Sequence, residues 1–298
     1  MRRLLSLAAL LLLCGAALYF AQHRKRTDEV SPNAVVDVAA DWQRDLTRAP
    51  MHITRISDAD EIHIGNALAA QYIPALPLLD PEKRATERYV VQVGNRVAAH
   101  AKRRLPYRFH LIADRNFINA FALPGGHVFV GQGMLDRMTS EDELAFVLGH
   151  EIEHIDHYHA AERVQVEVQL RHLDLGLVGS IAQLPISLWQ AGYSKDEELE
   201  ADREGLRLAV AADYSAEGAL NLLNRWAKLR DQYVVHAETP ADELSDVAIQ
   251  GLNGYFRTHP LPSERLAQAQ RIIAEDHLPI DRPLIPFRIE YEITSDDR

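Results

Sequence analysis

The apolar positions of this chain fall into three patterns, and each predicts a different kind of element. The first is a solid run. Behind Met1-Arg2-Arg3, residues 4–20 read LLSLAALLLLCGAALYF. That is longer than the apolar part of a signal peptide and short of the roughly 20 residues that span a bilayer as a helix. Its exit, Leu18-Tyr19-Phe20-Ala21, lacks the small residues of a signal-peptidase site, and Leu12-Leu13 ahead of Cys14 makes a poor lipoprotein box. Residues 1–26 are therefore expected to form an uncleaved membrane anchor in preference to a signal peptide. Arg2 and Arg3 flank one end and Arg24, Lys25 and Arg26 the other, so the positive-inside rule gives little direction. A short apolar segment behind two arginines points to export of the body.

The second pattern has a helical period. Residues 27–57 are polar, contain Pro32 and Pro50, and read as a linker. From Asp58 to Arg104 the pattern is mostly helical, with Val90, Val93, Val97 and Ala98 recurring on one face after Pro74, Pro77 and Pro81. The third pattern is strand-like: Phe109–Ile112, Ala120–Leu123 and His127–Val130 are short apolar runs. Pro124-Gly125-Gly126 turns between the last two, and Gly131 and Gly133 end the third. Ser140 with Glu143 three residues on predicts a capped helix through about Arg163. Residues 165–192 are apolar but broken by Gly176, Gly179 and Pro185, which favours core packing over a spanning helix. Helices are expected from about Asp196 to Ala211 and from about Ala216 to Leu229, and Phe287–Ile293 alternates like an edge strand. The organisation is then an anchor at 1–26, a linker at 27–57 and one domain at 58–298. Within that domain 58–104 is a helical lead-in, 105–270 the core and 271–298 a tail.

Charge narrows the function classes. The 298 residues include 43 acidic and 32 basic side chains, a formal charge of −11. The basic residues of the first 26 positions face no acid there, so the body is more acidic than the total suggests. Such a body repels phosphate backbones, which excludes general nucleic-acid binding. Hydrophobic content of 47% with 25% charged residues is ordinary for a globular chain and excludes wholesale disorder. The single cysteine, Cys14, lies in the apolar run, so any structural or catalytic metal must be held by histidines and carboxylates.

The capped helix contains His150-Glu151-Ile152-Glu153-His154. Each helical residue turns the chain by about 100°, so His150 and His154 fall about 40° apart and one turn along. Two imidazoles on one stripe can share a zinc ion, and Glu151 points to the side where a water would sit, the place for a general base. Catalytic zinc takes three protein ligands and keeps one position open. The next helix carries Glu197-Glu198-Leu199-Glu200-Ala201-Asp202. Glu198 and Asp202, at i and i+4, share a face, so Glu198 can be the third ligand while Asp202 accepts from a ligand histidine and fixes its tautomer. Spacing alone does not choose among Glu197, Glu198 and Glu200, and an acidic first turn also suits a solvated helix start.

HEIEH, ELEAD, the upstream NAFALPGGHVFVGQGML and the downstream THPLPSERL together resemble the membrane-associated zinc metallopeptidases grouped with HtpX and the CAAX prenyl proteases. More narrowly, the chain is similar to the soluble-domain branch that includes Oma-type and BepA-like proteases. The resemblance runs from about Val90 to Leu266. It implies that Glu198 and Asp202 are the Glu and Asp of a Glu-x-x-x-Asp motif, which sets the register. It implies one Zn2+ per chain and a mainly α, α+β fold: a zincin-like core of helices with a small antiparallel sheet beside the active-site cleft. The chain lacks the long helical-repeat extension of BepA-like members and the multiple spanning helices of HtpX and the prenyl proteases, so prenylated substrates do not follow.

Three further segments carry expectations. Gly125 and Gly126 let backbone approach closely, and the strand at His127, Val128 and Phe129 is expected to expose an edge to which a substrate peptide adds as a strand. His157, on the same helix as the zinc pair, reads as a surface or supporting residue and not as a ligand. His259, before Pro260, and Arg265 sit in the segment that the resemblance places beside the cleft. His259 is expected either to cap the open metal position or to donate to the developing oxyanion, and Arg265 is a second candidate donor. The function read from these residues is a zinc endopeptidase of the cell envelope with Glu151 as general base. It would be anchored with its catalytic domain on the periplasmic side or secreted there, and would act on misfolded or membrane-associated proteins. The rival reading is an envelope chaperone or assembly factor whose protease site is rarely used.

Overall fold

In the computed structural model the residues described are 56–73, 80–170, 192–236 and 262–288, with side chains left out at 167–170 and 230–236. The N-terminal run, residues 171–191 and His259 lie outside them. Among the described residues no helix is long and apolar enough to cross a membrane.

The molecule is organised around the helix that carries HEIEH. In chain order the elements are α1 (Asp58–Tyr72), α2 (Pro81–Ala98), β1 (Arg108–Ile112), β2 (Ala120–Leu123), a 3-10 turn (Pro124–Gly126), β3 (His127–Gly131), α3 (Gln132–Leu135), α4 (Glu141–Asp156), α5 (His159–Leu170), α6 (Lys195–Ala211), α7 (Ala216–His236) and α8 (Pro262–Asp276). The fold is mainly helical, α+β, as expected. α4 is buried along its length from Asp142 to Asp156, so its polar residues need partners inside the protein. Asp142 accepts from the backbone N–H of Ser215 and of Ile285, both at 2.7 Å. Glu143 accepts from Arg225 and from Thr139. Asp156 accepts from the N–H of Lys102 at 2.6 Å and the hydroxyl of Tyr107 at 2.6 Å. These carboxylates fasten the loops and helices around α4 to its two ends.

One expectation about local structure is corrected, and a second falls mostly outside the described residues. The helix opened by Ser140 does not run to Arg163: it ends at Asp156, and Tyr158 takes φ 65° before α5 begins at His159. The Asp156 carboxylate, occupied by the 102–107 segment, and the Arg103 guanidinium lying 3.8 Å over the Tyr158 ring hold the break. The tail from Pro283 as far as Arg288 is irregular and not a strand, its backbone used to cap α4 through Ile285 O and Glu141 N at 2.7 Å. The rest of that alternating segment lies outside the described residues.

The sheet has three strands in the order β1-β3-β2. β2 and β3 pair antiparallel, but β1 runs parallel to β3, so the sheet is mixed and not antiparallel. β3 is the central strand, bonded on both sides and buried at every residue. A strand buried on both faces is nearly continuous in apolar residues, and His127–Gly131 reads that way. The turn before it seats α1: Gly125, at φ 75°, donates its N–H to Glu61 Oε1 at 3.0 Å, and a Cβ on Gly65 would meet Pro124 O at 1.9 Å. Glu61 in turn holds Arg103, at 2.5 Å from its Oε2.

Candidate active site

α6 packs along α4 more extensively than any other described pair of elements, and two glycines make this possible. A Cβ on Gly149 would stand 2.5 Å from Gly205 O, and one on Gly205 would stand 2.6 Å from the His150 nitrogen. The two backbones touch where the helices cross, which is one residue from His150 and one turn from Asp202. α6 is fixed at its start by a capping box, Ser194 Oγ accepting from the Glu197 N–H and Glu197 accepting from the Ser194 N–H. That places Glu198 in the first turn, fully buried, with Oε1 also accepting from the Tyr193 N–H at 3.1 Å.

Three donor groups converge at the crossing. His150 Nε2 lies 3.1 Å from His154 Nε2 and 3.4 Å from Glu198 Oε2, and His154 Nε2 lies 3.8 Å from Glu198 Oε1. Ligands about 2.0–2.1 Å from a tetrahedral zinc stand about 3.3 Å from one another. The spacing of this buried cluster therefore fits one divalent ion with little movement. Glu200, two residues on, faces elsewhere, toward His157 and His159.

The outer nitrogens are also occupied. His150 Nδ1 lies 2.9 Å from Asp202 Oδ1, an arrangement that leaves Nε2 to face the centre. Asp202 accepts in turn from Arg265, Nε to Oδ2 at 2.7 Å and the guanidinium to Oδ1 at 2.6 Å. Arg265 is 2% exposed. The structure thus gives it a different task from the oxyanion donor expected of it, since two of its donors hold the carboxylate that orients His150. His154 Nδ1 meets His159 Nδ1 at 3.0 Å, and the Tyr193 ring stacks on the His154 ring with centroids 3.9 Å apart. Burial opposes a charge on His150, but Asp202 and Glu198 overcome it and raise its pKa to about 9. Asp202 is held low because Arg265 and His150 outweigh its burial. Glu151 is buried, and burial, with Glu198 adding to it, pushes its pKa up to about 7.

The sequence reading missed Gly149, Gly205 and Tyr193, and the contact that His159 makes with His154. A small-residue pair on the two motif helices is the one signal that could have shown the crossing. The expected substrate strand is a correction. His127, Val128 and Phe129 belong to the central strand, and Gly125 and Gly126 are buried against α1 and the Pro106 backbone, so no edge is open there. His127 and His110 instead pair with each other, His110 Nε2 to His127 Nδ1 at 3.0 Å. The strand with one side unpaired among the described strands on that flank is β2, which lies against α4.

Two histidines and a carboxylate gathered on crossing helices, with a second buried carboxylate beside the first histidine, define a metal-dependent hydrolase. The chain belongs to peptidase family M48, whose model matches residues 84–273. It is 30% identical over 235 residues to the beta-barrel assembly-enhancing protease of Yersinia pestis, covering 72% of this chain and 44% of that protein. It is 31% identical over 183 residues to the mitochondrial metalloendopeptidase OMA1 of Bos taurus, covering 55% of this chain and 32% of the relative. The OMA1 of Schizosaccharomyces pombe is 34% identical over 153 residues, 49% of this chain and 45% of the relative. The chain thus spans less than half the length of each of these relatives.

Proposed function

We propose that the chain is a zinc-dependent endopeptidase, with His150, His154 and Glu198 as the metal ligands, Glu151 as general base and Asp202 as the acceptor that orients His150. The observation that carries this is the buried convergence of the three donors with tetrahedral spacing. Zinc held there would supply a Lewis acid and a bound water with a pKa near 7. A carboxylate whose pKa is about 7 is suited to take the proton of the attacking water and to return it to the leaving amine. Asp202, fixed by Arg265, keeps the His150 proton on Nδ1, and the aromatic face of Tyr193 keeps His154 from turning. The side of β2 that pairs with no described strand, next to α4, is the place where an extended peptide would add by main-chain hydrogen bonds.

The relatives are named as a protease that enhances β-barrel assembly and as mitochondrial metalloendopeptidases. Together with the apolar N-terminal run, those names support substrates among misfolded, envelope or membrane-associated proteins and an anchored, periplasm-facing chain. The test is direct. Zinc analysis of the purified chain should give one tightly held ion, lost in His150→Ala, His154→Ala and Glu198→Ala. Glu151→Gln should keep the ion and lose casein cleavage by about 10²–10⁴-fold. A Glu151→Gln protein that cleaves at the wild-type rate sinks the mechanism.

A further inference from the structure

A second set of donors stands on the far side of His154. His157 Nδ1 lies 3.3 Å from Glu200 Oε1, and His159 Nε2 lies 3.5 Å from Glu200 Oε2. All three residues can each direct one ligand atom so that the set lies within 4.8 Å. The two separations to Glu200 are close to the edge of about 3.3 Å that ligands make around a tetrahedral zinc. The surroundings are also those of a ligand set. Glu153 Oε2 is buried and makes no hydrogen bond of proper geometry, yet stands 3.1 Å from His157 Nε2. A carboxylate at the outer nitrogen is what orients a histidine that ligates through the other one. His159 is 5% exposed, His157 22% and Glu200 37%, so the set has a firm floor and an open side through which an ion and its water can enter. The Arg203 guanidinium, 3.7 Å from Glu200 Oε1, is itself 42% exposed and can swing away.

We propose that His157, His159 and Glu200 form a second divalent-cation site, of zinc-type chemistry, whose filling inhibits the first. The site stands on its own geometry; its inhibitory coupling rests on the peptidase reading above. The coupling is carried by the 3.0 Å contact between His154 Nδ1 and His159 Nδ1. When His154 ligates through Nε2 its proton is on Nδ1, and His159 can accept it at Nδ1 while keeping its own proton on Nε2, toward Glu200. A cation can bind His159 Nε2 only after the proton there has left, through Glu200 or solvent, and the neutral ring then carries its proton on Nδ1. Two N–H groups then face each other, the hydrogen bond is lost, and His154 loses the partner that orients it. Loss of such a partner costs about 10–100-fold in metal affinity or activity.

Calorimetric titration of the metal-stripped full chain with zinc tests the site without reference to activity. The wild type should bind a tight equivalent and then a weaker one. His157→Ala and Glu200→Ala, made separately so that one misfolded variant does not decide the matter, should each lose the weaker equivalent and keep the tight one. Glu198→Ala should lose the tight equivalent and keep the weaker one. One equivalent in the wild type, or a second that survives in both His157→Ala and Glu200→Ala, overturns the site. For the coupling, casein cleavage by wild type should fall by about 10–100-fold as the second equivalent loads, while His157→Ala should keep its one-equivalent rate. Equal inhibition of the two proteins, or none with two ions bound, overturns the coupling. A chain that binds two ions and never cleaves casein would count against the peptidase reading and leave the second site standing.

Discussion

His150 and His154 approach Nε2 to Nε2 at 3.1 Å across one turn of α4, and His110 and His127 approach Nε2 to Nδ1 at 3.0 Å across the β1–β3 pair. The separations are nearly equal, and the chemistry is opposite because of what stands behind each pair. Behind His150 is Asp202, and beside both helical rings is Glu198. Behind His127 is the Asn66 side-chain oxygen, 3.0 Å from Nε2, with the Arg108 guanidinium 3.4 Å away. The tautomers of the sheet pair follow: His127 donates from Nε2 to Asn66, so its Nδ1 accepts from His110 Nε2. Carboxylates raise His150 to about 9. In the sheet pair, burial lowers both His110 and His127 to about 4, with the Arg108 charge adding to it. Closeness of two imidazoles therefore does not make a metal centre; the carboxylate that neutralises an ion and orients its ligands does.

The largest effect expected is that of removing the carboxylate behind His150. Asp202→Asn removes the carboxylate charge that accepts from two donors of the buried Arg265, which costs about 3–5 kcal/mol, and weakens the proposed zinc ligation by about 10–100-fold. Urea unfolding and a zinc-chelator competition measure the two. A variant as stable and as tight as wild type would show that the two histidine pairs differ for some other reason. Next comes Gly205→Ala, which leaves every donor in place but inserts a methyl into the α4–α6 contact. The added Cβ would stand 2.6 Å from the His150 nitrogen and must push the two helices apart, for about 1–3 kcal/mol, and the zinc equivalent should weaken because Glu198 and His150 ride on different helices. Unchanged zinc affinity with a lowered Tm would mean that the crossing sets stability and not the site.

These two residues also mark how far the sequence could be read. Helical period and caps were enough to set α4 and α6 apart from three short strands, and the strand limits agree with the apolar runs to within a residue or so. The Glu-x-x-x-Asp spacing put Glu198 and Asp202 on one face of α6. What local pattern cannot carry is which backbone touches which. Strand order, the parallel pairing of β1 and the central place of β3 depend on contacts between segments far apart in the chain, and Pro124-Gly125-Gly126 looks the same whether the strand after it is an edge or a centre. The break at Tyr158 has the same origin, since it is held by Asp156 and Arg103 through residues about fifty positions away. Arg265, at the start of its helix, looked like a donor toward the cleft because its partner, Asp202, lies 63 positions earlier.

A smaller effect is carried by pH. His110 and His127 have folded-state values near 4 against an ordinary 6.5. The fold thus disfavours their protonated forms. Their contribution to stability is fully present above about pH 6.5 and is lost as the pH falls toward 4. Between pH 7.5 and 5 the loss should be roughly 2 kcal/mol for each histidine taken alone. The comparison that isolates it is wild type against His127→Gln, whose unfolding free energy should fall less steeply over that window. Parallel slopes would remove the sheet pair from the account of acid sensitivity.

The smallest effect converts one pair toward the other. Asn66→Asp places a carboxylate where the amide oxygen now accepts from His127 Nε2, the same relation that Asp202 has to His150 Nδ1. A carboxylate acceptor favours the protonated ring, so the His127 pKa should rise from about 4 toward the ordinary range. The size of its linkage then shrinks, with the sign unchanged: stability should decline less on acidification than in wild type. Two features limit the gain. Asn66 is exposed, and Arg108, which donates to Asn66 at 2.8 Å, would share the new charge. The stability change at pH 6 should therefore stay below about 1 kcal/mol, while NMR titration of the imidazole C–H resonances reads the shift directly. Unlike the helical pair, the altered sheet pair should bind no zinc, since His127 Nδ1 accepts from His110 and among the described residues no second carboxylate converges on them. A His127 resonance that titrates as in wild type would mean that burial, and not the missing carboxylate, sets the behaviour of the sheet pair.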